Sequence, residues 1–246
     1  MYLRINDILW LVTFFIVGAI FGSFFNVCIY RIPRKKSIIS PRSHCPMCGH
    51  TIPWYDNIPI ISYILLKGKC RFCGATIPVR YLIVELLAAC LFPINLYIFG
   101  IGLELLVVLV LLSLLTIVAF IDIETGLIPN VIVLPGMVLG IGLSSLQGKT
   151  MESILGLLTG GMVLYILTAL SNVILKKEAM GGGDIKLLAM IGAYMGWFYT
   201  LIVLFGASLL GVIFALPLRK RKIVFGPFLA VATLITIIIK HFKLIG

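Results

Sequence analysis

"LELLVVLVLLSLLTIVAFIDIETGLIPN", residues 103–130, contains an uninterrupted run without charge between Glu104 and Asp122. A spanning helix needs roughly 20 predominantly apolar residues, so 103–121 reads as one crossing of a membrane. Two acids, Asp122 and Glu124, stand at its end, followed by the turn residues Gly126 and Pro129. The rest of the chain agrees with this reading. Its 246 residues are 61% hydrophobic and only 12% charged, against roughly 25% charged in a soluble domain. The mean hydropathy is +1.17. The fold class that follows is an all-α polytopic membrane protein, with one membrane domain and one small polar insertion.

Further apolar runs lie at about 7–29, 81–99, 128–146, 152–175, 184–197, 200–217 and 223–240, giving about eight transmembrane helices. The N-terminal run is no signal peptide, because its apolar part is too long and its charge follows rather than precedes it. The stretch 184–217 reads as two helices. One helix would be about 50 Å long at 1.5 Å per residue, against a hydrocarbon core of about 30 Å. Gly196, Trp197 and Tyr199 offer the turn. Charge supports the count. With the N-terminus outside, the inner segments 30–80, 122–127, 176–186 and 218–222 hold nine, zero, three and four Lys/Arg, and the outer ones hold only Arg4, Lys149, Lys240 and Lys243. Lys and Arg collect in cytoplasmic loops. The net charge of +11 is therefore orientation, and no nucleic-acid partner is implied. The chain divides into a first helix (1–29), a cytoplasmic loop (30–80) and a transmembrane bundle (81–246).

Nine acids are few enough to inspect singly. Asp7, Asp56, Glu104, Glu152 and Glu178 fall in loops or at helix ends, while Glu85 sits one turn into the second span. Asp122 closes the third span and Asp184 opens the sixth, in "MGGGDIKLL", residues 180–188. The chain crosses the membrane twice between them, which returns both to one face. One reading is two unrelated helix-end aspartates, with Asp184 as an N-cap. The other is a catalytic pair, because acids at such depth usually face a bundle interior or a cavity. Two carboxylates sharing a site cannot both ionise comfortably. The ionised one activates a water and the protonated one polarises a carbonyl. Helix ends suggest the assignment: Asp184, at a helix N-terminus, as base, and Asp122, at a C-terminus, as acid. Gly181, Gly182 and Gly183 would let another backbone approach closely.

The polar loop contains "CPMCGHTIP" and "CRFCGATIP", a repeat offset by 25 residues. Its pairs, Cys45 with Cys48 and Cys70 with Cys73, form a four-cysteine set of the kind that holds structural Zn²⁺. A redox or iron–sulfur role is the alternative. Disulfides are disfavoured in a cytoplasmic loop. His44 and His50 flank the first pair, but four thiolates already complete the coordination. About 50 residues bury little core, so a metal would supply the missing stability. Cys28 and Cys90 read as ordinary core residues.

Taken together, "GSFFNVCIYRIPR" (22–34), the cysteine pairs, "RYLIVELL" (80–87), "DIETGLIPN" (122–130) and "GGGDIKLLAMIGAYMGW" (181–197) resemble the type IV prepilin peptidases, membrane aspartic proteases of the G-x-G-D type. The motifs occur in the family's order nearly end to end. The resemblance implies a membrane aspartic endopeptidase of the bacterial inner membrane with Asp122 and Asp184 as the catalytic pair. Its substrates would be prepilins or pseudopilins, cut at the cytoplasmic face after a short basic leader. It also implies N-methylation of the new N-terminus with S-adenosylmethionine, for which no donor motif is visible. Glu85 is a candidate for substrate or donor contact, and Glu124 and Glu178 for the leader's cations. The competing classes are a carboxylate-dependent transporter and a non-catalytic, zinc-stabilised pilus assembly protein.

Overall fold

A computed structural model describes residues 5–175, 181–218 and 224–242. Among them every long element is a helix. Five helices are long and apolar enough to cross a membrane, and two shorter apolar ones, Asn130–Leu146 and Gly226–His241, accompany them. The chain divides into two compact units, 1–105 and 106–246.

The first unit is built on α1 (Ile5–Arg31) and, beyond the cysteine loop, α3 (Arg80–Phe99). They pack antiparallel in steps of four residues. A Cβ on Gly18 would lie 3.0 Å from Ala89 Cα, and one on Gly22 would lie 2.7 Å from Glu85 Cα. Asn26 Nδ2 donates to Tyr81 O at 2.9 Å. Gly18 and Gly22 form a G-x-x-x-G pair, the small-residue stripe that lets membrane helices approach closely. The opposite face of α1 exposes Ile8, Val12, Ile16, Ile20 and Phe24, each about half accessible, again in steps of four. Such a stripe suits lipid and not water. The sequence division placed 81–99 with the C-terminal bundle, whereas α3 packs on α1 in the first unit. Between these helices the loop holds a 3₁₀ turn (Trp54–Asn57) and the short helix α2 (Ile61–Leu65).

The second unit contains most of α4 (Leu103–Thr125), with α5 (Asn130–Leu146), α6 (Thr150–Leu175), α7 (Gly182–Met195), α8 (Trp197–Leu218) and α9 (Gly226–His241). At its centre is α7, which contacts α5, α6, α8 and α9 and buries every residue from Leu187 to Met195. Two more G-x-x-x-G pairs make this possible. Gly156 and Gly160 of α6 lie against the backbone of Gly192 and Leu188, and Gly136 and Gly140 of α5 lie against Met190 and Tyr194. The last carbonyls of a helix lack intrahelical partners. Here Ser144 and Ser153 both donate to Ala193 O, at 3.0 and 2.6 Å. The break between α7 and α8 falls at Gly196, φ +83°, as the two-helix reading of 184–217 expects. The basic run Arg219 to Lys222 and the acid Glu178 lie outside the described residues.

Candidate active site and metal centre

Asp122 is in the last turn of α4, which continues to Thr125 before Gly126 turns the chain at φ +65°. Its side chain is 5% exposed. Oδ2 accepts the backbone N–H of Gly226 at 2.9 Å, from the first residue of α9. Pro227 follows at the helix start, where its missing N–H costs nothing and its fixed φ favours the first turn. A Cβ on Gly226 would stand 2.5 Å from the same Oδ2. Only glycine leaves room for this carboxylate against the helix end.

Asp184 is the third residue of α7 and is half-buried. It lies close enough to Asp122 for the two charges to interact, so the two aspartates are brought together. Two further contacts join their segments. Lys186 Nζ donates to Asn130 Oδ1 at 3.0 Å, and a Cβ on Gly183 would meet Ile128 Cβ at 2.9 Å. The three glycines before Asp184 therefore act differently from the sequence expectation. Gly181 is an extended N-cap at φ −71°, and Gly182 and Gly183 begin the helix. None of the three uses positive φ. Gly183 makes room for Ile128, whereas a Cβ on Gly182 would meet nothing.

The assignment of base and acid from helix ends does not survive this geometry. Asp122 does sit at the C-terminus of its own helix, but the N-terminus of α9 donates to it. A helix N-terminus favours a negative charge. Both carboxylates therefore have that support, and helix position alone no longer separates them. Sequence reasoning missed Gly226 because its contribution is a backbone N–H and an absent side chain.

The four cysteine sulfurs lie within 4.8 Å of one another, and Cys45 Sγ is 3.8 Å from Cys73 Sγ. A tetrahedral zinc with Zn–S of about 2.3 Å needs sulfurs about 3.8 Å apart, so the set fits. The two knuckles repeat each other bond for bond. Cys45 N donates to His50 O at 2.9 Å and Cys70 N to Ala75 O at 2.8 Å, while Gly49 and Gly74 bond back to Cys45 and Cys70. Each of those glycines has φ near +70°, a value that favours glycine over any side-chain-bearing residue. The backbone N–H groups of Cys48 and Met47 hold the Cys45 thiol down at about 6, which favours the thiolate a metal requires. His50 stacks on Phe72 with ring centroids 3.6 Å apart and is not among the clustered ligands.

Glu85 is 8% exposed and accepts the N–H of Ile60 at 2.7 Å. That bond ties it to the loop. Glu124 is exposed.

Comparison with known proteins gives two family matches. The Bacterial Peptidase A24 N-terminal domain matches residues 16–99, and the Type IV leader peptidase family matches residues 109–216. The chain is similar to proteins named "Prepilin leader peptidase/N-methyltransferase". The one from Myxococcus xanthus DK1622 is 41% identical over 207 residues, 83% of this chain and 62% of that protein. The one from Klebsiella pneumoniae is 40% identical over 197 residues, covering 77% and 86%. The one from Dichelobacter nodosus is 38% identical over 247 residues, covering 87% and 86%. No solved structure matches.

Proposed function

The chain belongs to the type IV leader peptidase family, and from that premise we propose that it is an aspartic endopeptidase that removes the leader of prepilins or pseudopilins. Asp122 and Asp184 form the catalytic pair. What supports this is the approach of the two motifs: Lys186 bonds Asn130 and Gly183 lies against Ile128 across them, Asp122 is near enough to act on Asp184, and each carboxylate is at a helix N-terminus. Like charges this close are eased when one group keeps a proton. The ionised carboxylate takes a proton from water, whose oxygen attacks the scissile carbonyl. The protonated carboxyl donates to the carbonyl oxygen. Collapse of the tetrahedral intermediate breaks the C–N bond, and the amine leaves with a proton from the pair. The products are the leader acid and a free N-terminal amine on the apolar segment. The N–H of Gly226 holds Asp122 in place throughout.

The positive-inside distribution supports a multi-pass inner-membrane protein with its N-terminus outside and its site facing the cytoplasm, where a prepilin's basic leader would lie. The four-cysteine cluster would hold Zn²⁺ as a structural ion, locking the two knuckles together. N-methylation, with S-adenosylmethionine as donor, rests on the names of relatives alone.

The test is direct. Purified protein is incubated with a prepilin in detergent, and leader-free product is followed. Asp122→Asn and Asp184→Asn each abolish cleavage while the protein keeps its helical content and thermal transition. Cleavage surviving either substitution overturns the assignment.

A further inference from the structure

Residues 57–66, "NIPIISYILL", carry no charge although they lie in the loop read as polar. Their position is fixed by two helices read as spanning. Ile60 N donates to Glu85, and Glu85 lies five residues into α3, about 7.5 Å along the axis from Arg80 at 1.5 Å per residue. The same level on α1 is Gly22, whose Cβ would touch Glu85 Cα. Gly22 stands nine residues before Arg31, about 13 Å from the end of α1 on the same scale. The loop therefore dips alongside the spanning helices. At this level α3 exposes Ile83, Leu86 and Leu87.

The dip is built for an apolar setting. In α2, Ile61, Ile64 and Leu65 are 54, 62 and 75% exposed, and Trp54 beside them is 80% exposed. Positions i, i+3 and i+4 share one helix face. Ser62, on the other face, is buried and donates to Tyr55 O at 2.9 Å. At membrane depth, backbone groups must be satisfied internally. Here Ser62 N, Ile64 N, Leu66 N and Gly68 N all find carbonyls within the segment. The entering Ile60, left without a helical partner, is served by Glu85. Ile60 takes φ +66° and ψ −55°, strained for a β-branched residue and maintained only where its surroundings fix it. Lys67 and Lys69 follow at once and are exposed. Asp56, the acid before the segment, is tied to Arg71 by two bonds of 2.6 and 2.7 Å.

We infer that residues 54–66 form a membrane-interfacial wedge, with the face of Trp54, Ile61, Ile64 and Leu65 seated at the headgroup–hydrocarbon boundary of the bilayer beside α1 and α3. The occupant is lipid because the segment is tied to α3 at Glu85, where α3 itself exposes Ile83, Leu86 and Leu87, and because two exposed lysines follow it. Trp suits that boundary, and interfacial helices sit about 5–10 Å into it. Glu85 is the peg that sets the depth.

The full-length protein carrying Trp10→Phe and Trp197→Phe leaves Trp54 as its sole tryptophan. It is placed in nanodiscs containing lipid brominated on the acyl chain near the headgroup. Trp54 fluorescence is quenched by the bromolipid and shielded from aqueous iodide. In a second probe, with Trp54→Phe added, Leu65→Trp behaves the same way. Adding Glu85→Leu shifts Trp54 toward iodide and away from bromolipid. Iodide quenching equal to that of a free tryptophan, with no bromolipid quenching at either probe, overturns the inference. So does iodide shielding that arises only after a prepilin is added and comes without bromolipid quenching, which would assign the face to the substrate's apolar helix.

Discussion

Replacing Gly226 by alanine adds one methyl group 2.5 Å from Asp122 Oδ2, 3.2 Å from its Cγ and 3.3 Å from its Cβ. Ordinary carbon–oxygen contact begins near 3.4 Å, so the carboxylate and the start of α9 must separate by about 1 Å. A 2.9 Å hydrogen bond stretched that far no longer qualifies as one. A hydrogen bond to a charged group is worth about 1.5–3 kcal/mol, which is roughly 10- to 150-fold in rate if it acts in the transition state. A 1 Å misplacement of a catalytic group alone costs up to about 10²-fold. The two effects describe one displacement and do not multiply. Gly226→Ala should therefore lower kcat about 10²-fold with a much smaller change in KM. Folding pulls the other way, because alanine is favoured over glycine in a helix by about 1 kcal/mol. The assay is leader release from a saturating prepilin in detergent, alongside a thermal melt. Gly206→Ala is the control, since its Cβ would make only an ordinary 3.5 Å contact with Ala232, and its rate should match that of the unmodified protein. A normal kcat for Gly226→Ala would refute the role of α9 in holding Asp122. A lost melting transition would move the effect from the site to the fold.

Chelation of the metal, or Cys48→Ser with Cys73→Ser, should unfold the knuckles and lower the melting temperature, while protein that remains folded keeps its cleavage rate; zinc content and the melt read this together. Thiols must lose their protons to bind metal, so the metal's contribution is present at neutral pH and lost as acid protonates the cysteine ligands, with zinc release by dialysis tracking the loss. Gly183→Val should cost about 10-fold or more in activity by driving Ile128 away, and Ile128→Ala should restore part of it in the double variant. Gly156→Leu should lower the melting temperature by several degrees, since its Cβ would enter the backbone of Gly192 and overpacking typically costs about 1–3 kcal/mol.

The sequence made the helices legible because hydrocarbon thickness dictates their length and because Gly196 interrupts 184–217 where no single span could reach. It exposed the cysteine cluster because ligand spacing repeats in the chain. It named Asp122 and Asp184 because acids are rare here and an even number of crossings returns them to one side. Other relations were hidden. The tie of Gly226 to Asp122 links residues 104 apart through a main-chain donor, and composition carries no trace of it. Glu85 stood out as a lone acid, but its tie to the N–H of Ile60 left no mark in the sequence. The pairs Gly18/Gly22, Gly136/Gly140 and Gly156/Gly160 were visible all along, but spacing alone does not say which helix each one meets.

The last described helix supplies the partner of a carboxylate made 104 residues earlier. A chain emerging from the ribosome folds from its N-terminal side first, so Asp122 and Asp184 are made before α9 exists to brace Asp122. The brace on Asp122 is thus the last part of the site to be made.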